Sequence, residues 1–378
     1  MNAASDSTLI RPIQYLRGLA CMVVVLAHSL YVIPGVIERL GMPYFLPSFS
    51  AIEMLFLISG FVMVATMAKK DRTPFEFIRI RVVRIVPLYW IATLATIAFR
   101  AFDQDLHYSP VDIAKSLFFV PYAAIAGESG SIWPILAQGW TLNYEMFFYI
   151  LFALSLAAPR RFLVPALASV LATLVAIGKL FGPFVNPLAV VYTSPLLAPL
   201  SIGMIVAYIW LRDPSQNWLR WSPLFIVFGL YGIAVQHSWA VILGGTFIIF
   251  ASCLHPKICA IQNRPLLELG DASYSIYLSH QFVLEVLAGV WLRTFPLVTW
   301  ASSALFLMLA LVLCAAAGWL CYLFIERPLT SKLLINGRRI QPPPDGCFPA
   351  GFSTGIAASG INSTAPRTGR TIGWKSTT

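Results

Sequence analysis

The chain alternates between long apolar runs and short polar breaks, and most of the runs have the length of a membrane crossing. Runs of about 15–25 residues predict helices over 12–32, 51–68, 86–101, 143–158, 162–178, 196–211, 222–236, 238–254, 273–292 and 299–325. A shorter piece in the stretch 102–142, "SLFFVPY", cannot cross a hydrocarbon core about 30 Å thick and is expected to be re-entrant or to lie on the interface. The expected fold class is all-α, a polytopic membrane protein with about ten transmembrane helices. From "QPPPDG" onward the pattern changes to Gly, Ser, Thr and Ala with no apolar period. The chain therefore reads as a transmembrane domain over 1–339 and a disordered tail over 340–378.

Composition supports this reading. Of 378 residues, 58% are hydrophobic and 11% charged, against about 25% charged in a soluble domain. A net charge of +10 would suggest nucleic acid in a soluble protein, but here the position of the charges decides. With a cytoplasmic N-terminus, 21 Lys and Arg residues fall on the cytoplasmic side and 5 on the other. The positive-inside rule then puts both termini in the cytoplasm, and no nucleic-acid partner is expected. The start lacks the pattern of a cleaved signal peptide, so the first span is expected to direct its own insertion. The six cysteines show neither zinc spacing nor a disulfide framework, and His107, His237 and His255 have no partner at ligand spacing, so no metal is expected. No internal repeat is visible.

Candidate chemistry begins in "QYLRGLACMVVVLAHSL". Arg17 and His28 lie eleven residues apart in one apolar helix, which returns them to nearly the same face about 16 Å apart. Ionisable residues inside hydrocarbon cost free energy and mark function by default. The stretch 69–84, "KKDRTPFEFIRIRVVR", is expected to be a basic cytoplasmic loop. It reads either as an anchor to anionic lipid or, through Arg81 and Arg84, as a phosphate site with forked donors. His28, Glu53 and Glu145 are expected at similar depth in the outer half of the membrane, where a carboxylate can support an imidazole base; a purely structural role for each acid is the alternative. His280 either lines the same cavity or pins two helices. Tyr89, Trp90 and Trp140 are further candidates to line it. Asp271 and Ser273 read as caps of the ninth helix, and Glu326 and Arg327 as structural closure of the last. Cys21 reads as a packing residue more readily than as an acyl carrier.

The motifs "RGLACMVVVLAH", "EMLFLISGF", "RIRVVRIVPLYW", "GWTLNYEMFFY", "SYSIYLSH" and "IERP" occur in this order over about 12–330. Together they resemble acyltransferase family 3, the bacterial integral-membrane O-acyltransferases, and within it the succinoglycan-type exopolysaccharide acetyltransferases. The resemblance implies a ten-helix enzyme of the bacterial inner membrane. It would take acetyl from cytoplasmic acetyl-CoA, with no permanently bound cofactor, and pass it to a sugar hydroxyl of a polysaccharide or a lipid-linked oligosaccharide. It also implies roles by position: His28 as the essential histidine with Arg17 as its partner, Arg17, Arg81 and Arg84 as acyl-CoA ligands, and Glu53 and Glu145 as the family's acids, catalytic with His28. One departure is visible, because many relatives carry an acid shortly before "GM" in the sixth helix, where "LLAPLSIGM" has Pro199. Whether His28 acts as a general base or as a transient acyl carrier stays open, and a transporter or flippase for the glycan is the alternative function.

Overall fold

A computed structural model describes residues 11–37, 48–69, 72–100, 108–123, 132–212, 244–245, 260–295 and 299–335. All lie in the first of two units, Met1–Pro342, and the tail expected over 340–378 lies outside the described residues. Among the described residues the structure is helical with no strand: α1 (Arg11–Val32), α2 (Ser48–Lys69), α3 (Pro74–Arg100), α4 (Pro110–Leu117), α5 (Trp140–Ser155), α6 (Arg160–Phe181), α7 (Pro187–Tyr192), α8 (Leu197–Arg212), α9 (Arg264–Asp271), α10 (Ser273–Thr294), α11 (Trp300–Cys321) and α12 (Arg327–Ile335). Seven helical stretches are long and apolar enough to cross a membrane. α5, predicted as a span, has 16 residues, and the spans predicted over 222–236 and 238–254 lie outside the described residues apart from 244–245.

The expected basic loop over 69–84 is mostly helix. Thr73 and Glu76 form a reciprocal cap: the Thr73 N–H donates to Glu76 Oε2 at 3.1 Å, and the Glu76 N–H donates to Thr73 Oγ1 at 3.2 Å. With Pro74 at the first helical position, this starts α3 twelve residues earlier than hydropathy alone predicts. Arg79, Arg81 and Arg84 thereby become helical residues with a fixed direction.

Close backbone approach sets the packing of α2 on α8. A Cβ on Gly60 would stand 2.1 Å from the Leu200 carbonyl oxygen, and one on Gly203 would stand 2.0 Å from that of Leu57. Only glycine permits this spacing, the usual device where lipid supplies no hydrophobic drive between helices. Gly18 of α1 likewise faces the backbone of Gly270 in α9. α1 therefore sits amid α2, α9, α10 and α11 and buries Cys21, Val24, Val25 and Leu30.

Before α5 the chain enters the bundle. The Tyr89 hydroxyl of α3 bonds Ser116 of α4, the Trp90 indole donates to the Leu117 carbonyl at 2.9 Å, and Phe119 (φ 58°) lays its ring 4.6 Å from that of Tyr89. A 3₁₀ turn, Ala137–Gly139, then packs Gly139 directly on the Tyr89 ring. α5 starts from that turn, beside the Tyr89 ring of α3. The segment "SLFFVPY" thus packs against α3.

Candidate active site

α1 and α10 run side by side in the same direction. Arg17 donates through one guanidinium nitrogen to Gln14 Oε1 at 3.0 Å and through the other to Ser273 Oγ at 2.9 Å. The Cys21 thiol donates to the Ser273 carbonyl at 3.2 Å, and the rings of His28 and His280 lie 5.0 Å apart, tilted by 50°. Asp271 and Ser273, expected as caps, instead bind α1: Gln14 Nε2 donates to Asp271 Oδ1 at 3.2 Å, and Ala272 holds the cap position of α10. The Asp271 carboxyl lies outside the spanning segments, and burial raises it to about 6 against the opposing pull of Arg17.

A cavity of about 130 Å³ opens between α1, α2, α3, α5 and α10. Arg17, Arg81 and Arg84 line it together with a single carboxylate, Glu145, and the aromatic hydroxyls of Tyr149, Tyr274 and Tyr277. Arg81 is the most enclosed, 8% exposed, with its guanidinium 5.6 Å from the Phe77 ring centre and 5.8 Å from that of Tyr149. Among the described residues its Nε has no hydrogen-bond acceptor. Three arginines and an idle donor stand beside Glu145, with Asp271 and Glu326 also close to Arg17 and Arg84, and forked guanidiniums of this kind can bind phosphate or a polarised thioester oxygen. The volume suits a slender arm and is below the few hundred Å³ that hold a whole cofactor-sized ligand.

Glu145 departs from the expected arrangement. It belongs to the arginine cavity, where it accepts a 3.0 Å hydrogen bond from Tyr149, rather than to a cluster with His28. Glu145 lies on the second turn of α5 and shares the cavity wall with Arg81. Glu53, half-buried on α2, lines no part of the cavity, and among the described residues it makes no hydrogen bond to His28. Nor is His28 in the cavity wall. The wall on that side comprises Cys21, Thr141 and Tyr277, and His28 stands seven residues beyond Cys21 on the same helix face, about 10 Å further along α1. Tyr277, in the cavity wall, brings its ring within 5.9 Å of that of His280, the neighbour of His28. Its hydroxyl donates to the Gln138 carbonyl at 3.1 Å and lies 3.1 Å from Thr141 Oγ1.

His28 places Nδ1 2.9 Å from the Val24 carbonyl, so Nδ1 carries the hydrogen and Nε2 carries the lone pair. His280, 0% exposed, repeats the arrangement with the Tyr277 carbonyl at 2.7 Å. Of the other cavity candidates, Tyr89 is fully buried as the clamp on α4, Trp90 is 39% exposed beside it, and Trp140 stacks edge-on between Trp133 and Tyr144. None of the three lines the cavity.

Three features were missed by reasoning from sequence. Tyr149 and Tyr277 contribute hydroxyls to the cavity region, and both amide atoms of the buried Gln138 are without partners among the described residues. Glu326, read as closure, is 4% exposed and accepts from Ser275 across to α10. A π-helical turn, Tyr322–Glu326, gives it that direction. Only the Tyr274–Tyr277 spacing of three on one helix face was a readable signal.

The profile of acyltransferase family 3, described as an acyltransferase domain, matches residues 11–323. The exopolysaccharide production protein ExoZ of Rhizobium meliloti (strain 1021) is 34% identical over 293 residues, 75% of this chain and 90% of that protein. The O-acetyltransferase OatA of Staphylococcus aureus (strain NCTC 8325 / PS 47) is 24% identical over 366 residues, 84% of this chain, which spans 58% of that protein's length. No solved structure matches the chain.

Proposed function

This chain belongs to acyltransferase family 3 and is a multi-pass membrane O-acyltransferase; from that premise we propose that it carries acetyl from cytoplasmic acetyl-CoA to a sugar hydroxyl of an exopolysaccharide, another surface glycan or its lipid-linked precursor. The names of ExoZ and OatA support the acetyl group and the polysaccharide acceptor. The observation that carries the reading is the cavity in which Arg17, Arg81 and Arg84 face one carboxylate. We place it at the cytoplasmic end of a ten-helix bundle in the bacterial inner membrane, with both termini in the cytoplasm.

Arg84 and the more enclosed Arg81 hold the phosphates of acetyl-CoA, and the thioester arm lies along α1 past Arg17 and Cys21. Tyr277 must turn aside for the thioester to meet His28. From the outer side, where Glu53 is available for acceptor hydroxyls, a sugar alcohol approaches His28. Nε2 takes the hydroxyl proton as the oxygen forms a bond to the acetyl carbonyl carbon. The C–S bond then breaks, and the departing thiolate recovers that proton to leave as the CoA thiol. Glu145 fixes Tyr149 and balances part of the arginine charge.

The test uses purified full-length protein, labelled acetyl-CoA and the alkali-deacetylated surface polysaccharide of the host cell. Label should enter the glycan with the wild type, while His28→Ala should abolish transfer and keep its melting temperature. Label on the enzyme without acceptor, lost in His28→Ala, would identify an acyl-histidine instead of a general base. Glycan that crosses vesicles without acquiring label would establish the transporter reading.

A further inference from the structure

Beyond the arginine cavity, α3 and α10 face each other across a polar seam. Two ties set their register. The Tyr274 hydroxyl of α10 donates to the Ile85 carbonyl of α3 at 2.8 Å, and further along both helices Arg100 donates to Glu285 Oε1 at 3.4 Å. Gln281 and Glu285 stand seven and eleven residues beyond Tyr274, so all three share one face of α10. On α3, Thr93 and Thr96 stand seven and four residues before Arg100, again on one face, and both are buried. The exposed positions of the same stretches are apolar: Leu94 and Phe99 on α3, Val286 and Val290 on α10. The polar groups therefore lie inside the bundle, where such residues mark a substrate path by default. The turn Ala137–Gly139 closes the seam on the side of the arginine cavity, with the Gln138 carbonyl on the Tyr277 hydroxyl and Gly139 on the Tyr89 ring. Gln138 itself is buried, and among the described residues neither end of its amide has a partner.

The tie at Glu285 is loose and open. Both of its donors, Arg100 and Gln281 Nε2 at 3.3 Å, fall on Oε1, and both bonds exceed the length of about 2.7–2.9 Å usual for charge-assisted pairs. Among the described residues Oε2 has no donor. The Arg100 and Glu285 side chains are 39% and 28% exposed, so a ligand can reach them. We propose that this seam binds hydroxyls of the acceptor glycan, with Glu285 accepting from neighbouring hydroxyls while Arg100 and Gln281 donate to their oxygens. A sugar hydroxyl both donates and accepts, and the seam offers both kinds of group. The carboxylate beside Arg100 disfavours an anionic ligand, so the uncharged part of a glycan is the chemistry that fits. Gln281 directly follows His280, whose ring lies 5.0 Å from that of His28, and Glu285 is about 7.5 Å beyond His280 along the helix. Glycan held at Glu285 therefore has the adjoining part of its chain beside His28. The site deepens the acetyl-transfer reading proposed above and rests on it for the identity of the glycan.

The test measures transfer and binding with one probe, oligosaccharides cut from the alkali-deacetylated surface polysaccharide of the host cell. Glu285→Gln keeps an amide oxygen for Arg100 but removes the charged acceptor. It should raise the KM for the oligosaccharide about 10- to 150-fold, the loss expected for a hydrogen bond to a charged group. Both kcat and the KM for acetyl-CoA should stay within about twofold, since the lost contact is remote from the reacting atoms. Gln281→Met breaks only a bond within α10 and leaves the tie to α3 in place. It should raise the same KM about 2- to 12-fold, and it carries the test alone if Glu285→Gln does not accumulate in membranes. A mere clasp between helices would change the melting temperature and not this KM, so folded variants with wild-type KM for the oligosaccharide overturn the proposal. Titration calorimetry without acetyl-CoA separates the site from the reaction. Wild type that transfers no label, yet binds the oligosaccharide more tightly than Glu285→Gln does, overturns acetyl transfer and leaves the site standing. Wild type that transfers label, with an oligosaccharide affinity that Glu285→Gln leaves unchanged, overturns the site alone.

Discussion

Replacing Arg81 by Met separates the demands of binding from those of folding, because the two effects should have opposite signs. In the free protein Arg81 is nearly enclosed, its Nε is unpaired, and it shares its cavity with two more arginines and one carboxylate. An unsatisfied buried donor costs about 1–3 kcal/mol. Contacts with the faces of Phe77 and Tyr149 return about 0.5–2 kcal/mol. Met keeps the apolar stem between those rings and removes the unpaired donor and one like charge. The net change is a gain of about 1 kcal/mol, read as a melting temperature a few degrees higher. With acetyl-CoA present the order reverses. One charge-assisted hydrogen bond to phosphate is worth about 1.5–3 kcal/mol, so the dissociation constant should rise about 10- to 150-fold. Ligand at a hundred times its dissociation constant adds about 2.7 kcal/mol to wild-type stability, and the variant should lose most of that gain. The assay is thermal unfolding in detergent across an acetyl-CoA titration. A Met variant that melts lower without ligand and binds acetyl-CoA unchanged would make Arg81 a structural pin between two rings, and the phosphate site would have to be given up.

Further expectations follow from close packing and from ionisation. Gly203→Ala would drive a Cβ into the Leu57 carbonyl of α2 and should cost about 1–3 kcal/mol, whereas Gly289→Ala, with open space around it, should be neutral or slightly stabilising by thermal unfolding. Asp271→Asn should stabilise at alkaline pH. The folded carboxyl is raised to about 6 from an ordinary value near 3.9, so wild-type stability is greatest below the unfolded value and falls as pH rises through the folded one. The advantage of Asn, at most about 3 kcal/mol, should thus be full above pH 7 and vanish near pH 4; a pH-independent difference between the melting curves would contradict it. Gln138→Met should raise the melting temperature, since both amide atoms of Gln138 are buried and unpaired. A loss of stability there would mean that the amide has a partner in the working protein.

What could be read from the sequence divides along a physical line. Hydropathy is a property of one helix at a time, so α1, α6, α8, α10 and α11 fall close to their predicted runs. The start of α3 was also local information, because "TPFE" is a capping-box signature; the hydropathy reading passed over it, since the first turns of the helix are too polar to register as membrane. The depth of Glu145 was of another kind. It depends on Gly139 meeting the Tyr89 ring fifty residues away and on α4 docking beside α3, and neither contact leaves a period in the chain. The pairing of His28 with His280 is more distant still, requiring the relative phase of two helices 252 positions apart. That phase follows from backbone contact at Gly18 and Gly270 and from the Arg17–Ser273 hydrogen bond. Once those contacts are made, parallel helices rise together at about 1.5 Å per residue. The Cys21 thiol meets the Ser273 carbonyl, so seven residues beyond Cys21 and seven beyond Ser273 bring the two imidazoles side by side, their ring centres 5.0 Å apart. The glycines that bear no chemistry are therefore what assemble it, and a substitution at Gly18 or Gly270 should disturb His28 without touching it.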